Sequence, residues 1–446
     1  MRLRALPLIL LLFLLVSCAK ASVPSPRTTL TEDEPSPAHL KLYVATDLHL
    51  LAPSLHDNGA AFQTYIHSGD SKLLQYSDAL MNAWVAQVIR DHPDAVVISG
   101  DLTNNGEKES HRWLKDKLKS IEDSGIPVYV IPGNHDISNP WARNFRGDQQ
   151  YKAASVTPEE FSTNYAPFGY SEAFETDNAS LSYVIKLTKD LWLLMLDTSQ
   201  YSNNQALGYP QTDGELASST LAWVQHIGEL SKSNGAKIIA VMHHNLFDHS
   251  DFSSSDFTLN NNGETLNVLE QSNIHLVLSG HIHIQDIQTK DHVSDIATSA
   301  FEVYPHQFGV LEYSTETASL SYHTQPIDVA SWAEATNQTN PDLLGFAAYA
   351  KDFFRNASYT KAIKALEGQG YTETEQEQMA AVMAELNLHY FAGTMDTVDP
   401  GVLKSAGMQL WQNAEPQFIK NYVLSMGSKT TGNNSLTVNL SSGAAR

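Results

Sequence analysis

The chain has 446 residues, 42% of them apolar, which suffices for a large core and is long for a single domain. Acidic residues outnumber basic ones 50 to 28, a formal charge of −22, so the surface repels polyanions and excludes nonspecific binding of nucleic-acid polymers. The same field repels small phosphates at long range, so any phosphate chemistry here needs a strong local positive centre such as metal ions.

At the start, Arg2 and Arg4 precede an apolar run from Leu6 to Val16. That run is too short for a membrane span and reads as the core of a signal peptide. It ends in Leu15-Val16-Ser17-Cys18, and Cys18 is the only cysteine, which excludes an intrachain disulfide and a thiolate metal site elsewhere. The segment is similar to the lipobox of bacterial lipoproteins. That resemblance implies a signal peptide over 1–17 and a lipid on Cys18. It also implies an extracytoplasmic chain held on the cell membrane by that anchor. An ordinary signal peptide cut nearby is the competing reading. Residues 18–38, rich in Pro, Ser and Thr, read as a flexible tether.

From residue 39 to 326 short β-branched runs alternate with amphipathic stretches. Expected strands are Leu40–Thr46, Ala95–Ser99, Val128–Ile131, Ser182–Leu187, Leu191–Leu196, Lys237–Met242 and Ile274–Leu278. Expected helices are Ser77–Asp91, Glu107–Ser124 and Glu215–Leu230, each with an apolar face. This alternation predicts an α/β sandwich of sheets with helices outside. Phe308–Tyr313 and Ser319–Tyr322 read as antiparallel strands completing a sheet. Residues 327–446 read as a small all-helical C-terminal domain, with helices at Leu343–Phe354, Tyr359–Leu366, Thr374–Phe391 and Gly401–Gln412. The polar stretch after Lys429 reads as a frayed tail.

Five motifs follow five of these strands: Asp47-Leu48-His49, Gly100-Asp101, Gly133-Asn134-His135-Asp136, His243-His244 and Gly280-His281-Ile282-His283. Ligands of open α/β sheets bind outside the carboxyl ends of the strands. Strands that all end in Asp, Asn or His bring polar groups together there at a desolvation cost that metal ions offset. Oxygen and imidazole donors without sulfur suit iron, manganese, zinc or cobalt. Asp101, a single carboxylate, is able to bridge two ions.

These motifs, in this order over Leu40 to Tyr322, resemble the calcineurin-like metallophosphoesterase superfamily. The resemblance implies a four-layer α/β/β/α sandwich and two metal ions. It assigns Asp47, His49, Asp101 and His283 to one metal, and Asp101, Asn134, His243 and His281 to the other. His135 then sits beside the phosphate as the catalytic residue, and His244 and Asn104 are candidates for the substrate pocket, His244 alternatively for a support behind the ligands. The tyrosine that purple acid phosphatases carry three residues after the bridging Asp is here Asn104, and the arginine of the protein phosphatases is missing from Gly100–Gly106. Gly-Asp-Leu-Thr with Gly-Asn-His-Asp and Gly-His-Ile-His is similar to class III cyclic nucleotide phosphodiesterases and glycerophosphodiesterases. The implied activity is hydrolysis of small phosphodiesters by a hydroxide held between two ions. A phosphomonoesterase or nucleotidase of the same fold is the alternative, and a catalytically idle surface binding protein a further one. The oligomeric state is left open.

Weaker features are expected to be local. Asp136 either caps a turn or tunes His135. His56, Asp57 and His67, in the insertion from Leu51 to Gln75, either roof the site or lie on a polar surface loop. Tyr304-Pro305-His306 is a candidate substrate contact.

Overall fold

Ala95–Ser99, Val128–Ile131 and Leu191–Leu196 are buried at every position, as parallel strands covered on both faces must be. The computed structural model describes residues 36–446, apart from 70, 252–255 and 416. The expected signal peptide, Cys18 and most of the tether lie outside the described residues. One sheet has the strand order Ser435–Asn439, Ser319–Pro326, Gln307–Ser314, His39–Ala45, Ala95–Ser99, Val128–Ile131. The other has the order Asp286–Lys290, Val293–Ala297, Leu276–Ser279, Lys237–Met242, Leu191–Leu196, Tyr183–Lys186, Glu175–Thr176. The last three strands of the first sheet run parallel, as do the four central strands of the second.

The sheets meet face to face through Leu42, Val44, Val97 and Ile131 on one side and Leu193, Met195, Ile239 and Val241 on the other. Alternation along each strand turns the neighbouring residues outward. Tyr43, Val96, Ile98 and Val130 pack on Leu80 and Trp84 of helix Ser77–Asp91 and on Leu114 and Leu118 of helix Lys108–Asp123. Trp192, Leu194, Ile238 and Ala240 pack on Leu221, Val224 and Ile227 of helix Ser218–Asn234 and on Leu269 of helix Asn262–Gln271. The result is the α/β/β/α sandwich with a helical C-terminal region.

Some elements differ from the sequence expectation. The helix expected from Glu215 begins at Ser218, because the Glu215 amide is already bonded to the Thr198 carbonyl (3.0 Å). Leu343–Phe354 and Tyr359–Leu366 are not two helices. One helix, Phe346–Leu366, runs from within the first span through the second, since 355–358 contains no Gly or Pro to stop it, while Leu343 and Leu344 end a separate short helix, Pro341–Leu344. The polar tail is not frayed: Ser435–Asn439 adds antiparallel to Ser319–Pro326, with Leu436 and Val438 turned inward.

The C-terminal region has its own core around the buried Trp411, whose indole Nε1 donates to the Met379 carbonyl (2.8 Å). Helix Glu373–Ala392 opens on a capping box of Thr372 and Glu375. This core also takes in Ile282 and Ile284, the two residues flanking His283. The next residue, Gln285, donates its amide to the Phe391 carbonyl (3.1 Å) and its side chain to the Asn433 carbonyl (3.0 Å). The helices thus grip the turn that carries His281 and His283.

A buried ionic link reinforces this grip. His249 Nδ1 lies 2.9 Å from Asp286 Oδ2, and its Nε2 lies 3.1 Å from Asp295 Oδ2. A carboxylate only accepts, so both ring nitrogens must carry protons and the ring is an imidazolium. Burial opposes the charge, but Asp295 and Asp286 outweigh it and push the imidazole up to about 9. On the C-terminal side, Lys429 lies 3.6 Å from Asp286 Oδ1, and the Asn433 amide also donates to that carboxylate. A raised imidazole contributes stability that is fully present below its unfolded value and lost as pH rises through about 9. The metal-loaded protein is therefore expected to melt progressively lower from neutral pH to above pH ~9. His249→Gln should start less stable and lose much less over that range; parallel melting curves would reject the link.

Candidate metal centre

Four of the five motif loops are joined in pairs by backbone bonds alone, and carboxylates tie in the Gly133–Asp136 loop. The Asp47 amide donates to the Gly100 carbonyl (3.1 Å), the His49 amide to the Asp101 carbonyl (2.8 Å) and the Gly280 amide to the His243 carbonyl (3.0 Å). Asp47, His49, Asp101, His281 and His283 all adopt left-handed backbone, with φ of 51°, 41°, 49°, 68° and 65°. Non-glycine residues rarely do so, at ~1–3 kcal/mol each, and persist there only when the surroundings enforce it. Two glycines allow the loops to close. A Cβ on Gly133 would lie 2.2 Å from the Asp101 amide, and one on Gly280 would lie 1.9 Å from Thr46 Oγ1.

Each carboxylate commits one oxygen to this lacing and leaves the other free. Asp47 Oδ2 accepts from Thr46 Oγ1 and the His281 amide, both at 2.8 Å. Asp47 Oδ1 is buried without a hydrogen-bond partner, 3.4 Å from His283 Nε2 and 3.7 Å from His49 Nε2. Asp101 Oδ1 accepts from the His135 amide (2.8 Å). Asp101 Oδ2 lies 3.5 Å from His49 Nε2 and 3.4 Å from His243 Nε2. Potential ligand atoms of Asp47, His49 and His283 lie within 4.8 Å of one another, and so do those of Asp101, His243 and His281.

The imidazole tautomers point the same way. His243 Nδ1 lies 2.9 Å from the Ser99 carbonyl, which fixes the proton there and turns the Nε2 lone pair toward Asn134 Oδ1 at 3.1 Å. Two acceptors at that distance need a cation, proton or metal, between them. His49 Nε2 and His283 Nε2, 3.0 Å apart, pose the same requirement. His281 Nε2 faces the Asp256 carbonyl (3.0 Å), leaving Nδ1 with the lone pair. Without a metal, burial would lift the Asp101 carboxyl, yet the His243, His135 and His49 imidazoles hold it well below its ordinary range. His243 is pushed up to about 9, Asp101 outweighing burial. The donor set and its unpaired buried oxygen fit metal cations.

The other sequence candidates divide. His135 packs edge-on against His49, with ring centroids 4.9 Å apart. Its Nδ1 lies 2.8 Å from the Asn104 carbonyl and 3.1 Å from Asn105 Oδ1. Asn104 and His244, the pocket candidates, are both buried. The Asn104 backbone carbonyl faces His135 Nδ1, and its side chain donates to the Tyr65 hydroxyl (3.1 Å). His244 has Nδ1 at 2.7 Å from Thr198 Oγ1 and Nε2 at 2.9 Å from the Thr212 carbonyl. Its ring packs tilted against His281, centroids 4.5 Å apart, the place of a support behind the ligands. Asp136 accepts from the Leu102 (3.0 Å), Thr103 (3.0 Å) and Gly133 (2.9 Å) amides, tying two motif loops together. His56 stacks on Phe62, Asp57 caps the Gly147 and Gly59 amides, and His67 is exposed on its helix. His306 Nδ1 bonds the Phe301 carbonyl (3.0 Å) and Tyr304 stacks on Phe354. Two residues beside His135 were missed: Asn105, and Tyr65, whose hydroxyl accepts from the Asn105 amide (3.2 Å). Asn105 stands in the quoted Gly100–Gly106 motif, but a sequence does not say which of two adjacent Asn side chains turns inward.

Fold and site together define a metal-dependent phosphoric ester hydrolase. A family model described as calcineurin-like phosphoesterase matches residues 40–285, more than half of the chain, and the chain belongs to that family. A second, described as the C-terminal domain of cyclic nucleotide phosphodiesterase, matches residues 328–433. A probable cyclic nucleotide phosphodiesterase of Psychrobacter arcticus is 25% identical over 248 residues, 55% of this chain and 74% of that protein. A probable glycerophosphodiester phosphodiesterase of Arcobacter nitrofigilis is 39% identical over 57 residues, 13% of this chain and 20% of that protein. Among solved structures, a dimetal phosphatase from Danio rerio is similar at 14% identity and TM-score 0.47, covering 65% of this chain and 97% of that one.

Asp101 faces both imidazole groups and His49 only one. Asp101→Asn is expected to lose bound metal from the whole centre, and His49→Ala chiefly one equivalent. Metal analysis of the purified variants decides this; two equivalents retained in Asp101→Asn contradict the arrangement.

Proposed function

We propose that the chain is a binuclear metal-dependent phosphodiesterase acting on small phosphodiesters of the cyclic-nucleotide or glycerophosphodiester kind. The observation that carries this reading is the position of Asp101 Oδ2, within 3.5 Å of an imidazole of each ligand group. The names of the relatives support the substrate class. Iron, manganese, zinc or cobalt all suit the donors, and bound ions would supply Lewis acidity toward the phosphate oxygens and an acidified water.

His135 supplies what the ions do not. The Asn104 carbonyl and Asn105 Oδ1 only accept from an N–H, so they hold the proton on Nδ1. Nε2 is then the ring nitrogen that would take up a second proton, as from the attacking water, and give it to the leaving oxygen. Tyr65 holds Asn105, and the Asn139 amide donates to the His135 carbonyl (2.9 Å), so the ring is fixed from both sides.

Chelation is expected to abolish hydrolysis. His135→Ala should keep its metal and lose turnover by roughly 10²–10⁴-fold on esters with an alkoxide leaving group, and far less on a nitrophenyl ester. An equal loss on both would remove His135 from the leaving group. A phosphodiester panel run beside nucleoside monophosphates tests the substrate class; preference for the monoesters would overturn it.

The chain is further proposed to be held on the outer face of a bacterial membrane through a lipid on Cys18. Among the described residues no helix is long and apolar enough to cross a membrane. Cys18→Ala should move the protein from the membrane to the soluble fraction, and a variant that still sediments with membranes and resists salt washing would refute the anchor.

A further inference from the structure

The insertion between the first two motif strands does more than cover the centre. Lys72 stands in the short segment between helix Ala60–Ser68 and helix Ser77–Asp91 and is half-buried. Among the described residues no acid forms an ion pair with it. The backbone fixes its place beside the ligands. The amide of the next residue, Leu73, donates to the Glu302 carbonyl (3.0 Å). In the same strip, the Phe301 amide donates to the Thr46 carbonyl (3.0 Å) and the Ala300 amide to the His283 carbonyl (3.2 Å). A three-residue strip therefore links Lys72 directly to the Asp47–His49 turn and to the His283 turn.

The two turns that the strip touches meet at the site: the His49 ring lies edge-on to His135, with centroids 4.9 Å apart, and its Nε2 is 3.0 Å from His283 Nε2. Glu302, the acid of this strip, accepts from Ser77 Oγ (2.8 Å), and its other oxygen is buried without a partner. Burial raises its carboxyl well above the ordinary range, against the pull of Ser77 and the Lys72 ammonium. A half-buried cation in no ion pair among the described residues, in a chain of net charge −22, is placed against the long-range field beside the ligand turns and calls for an anion.

We propose that Lys72 binds a nonbridging phosphate oxygen of the substrate, beside His135 and the Asp47–His49–His283 group. It takes the part of the arginine missing from Gly100–Gly106, as a flexible point charge in place of a planar fork. This rests on the phosphoesterase reading above.

The test uses the full metal-loaded chain, with inorganic phosphate as the probe. Calorimetry gives the affinity for phosphate in wild type, Lys72→Met and Lys72→Arg; bound metal is counted in each, and bis(4-nitrophenyl) phosphate hydrolysis is followed in parallel. Loss of one charge-assisted contact should weaken phosphate binding by about 10- to 100-fold in Lys72→Met, with metal content unchanged, and Lys72→Arg should recover most of it. Unchanged phosphate affinity in Lys72→Met overturns the assignment, and so does loss of metal in that variant, which would make Lys72 a support of the ligand turns. An active wild type with an unaltered Lys72→Met sinks Lys72 alone. A wild type that hydrolyses no ester at all, yet binds phosphate through Lys72, supports the anion site and sinks the phosphodiesterase reading.

Discussion

Burial of two carboxylates among imidazoles is the constraint on which the rest of the molecule depends. Asp47 and Asp101 are almost wholly removed from water, and an isolated buried carboxylate is too costly to keep ionised. Four imidazoles and one amide converge on their free oxygens. Without cations, lone pair would face lone pair at 3.0 and 3.1 Å. Cations at these positions would have to compete with protons for the same lone pairs, so metal affinity is expected to fall as pH falls.

Holding that arrangement requires strain, and the sandwich supplies the means. Five ligand residues sit in left-handed backbone, a conformation the strands alone would not impose. Four loops are fixed in pairs by amide–carbonyl bonds, and the Asp101 and Asp136 carboxylates join the Gly133–Asp136 loop to Gly100–Thr103. The Gly280–His283 turn follows strand Leu276–Ser279 of the second sheet and is secured by the C-terminal helices. Ile282 and Ile284 are pulled into the helical core while His281 and His283, alternating with them, join the two groups of potential ligands. The helical region is in this sense part of the site, although among the described residues none of its side chains belongs to either group.

The convergence of the five motifs was legible in the sequence because period and position carried it: apolar strands, each ending in Asp, Asn or His, specify one crevice. Strand limits such as Ala95–Ser99 and Lys237–Met242 were legible for the same reason, being continuous apolar runs bounded by polar motifs. The supports were not. His249 bonds Asp286 and Asp295 from 37 and 46 residues away, and no local pattern marks such a pairing. Ser435–Asn439 was hidden by its composition: only Leu436 and Val438 alternate inward, and their polar neighbours disguised a strand as a tail. Lys72 was hidden for the opposite reason, as a single cation in a polar insertion that looked like surface. His56, Asp57 and His67, which left a roof and a surface loop equally open, do not touch His135; the insertion reaches it through Tyr65, by way of Asn105.

The overall charge also bears on which ester the site suits. A net charge of −22 repels each anion in proportion to its own charge, damped over a Debye length of about 8 Å at physiological salt. A phosphodiester carries one negative charge; the monoester it yields carries up to about two at neutral pH, as the second phosphate ionisation lies near 6. The same field therefore opposes entry of a diester less than that of a monoester, and it favours departure of the product over return. Inside the screening distance the order is set by local cations instead, which explains why a positive centre has to be built where the strands end. Long-range repulsion and short-range attraction act at different distances. A strongly acidic chain can thus act on phosphate esters and still release the more highly charged product.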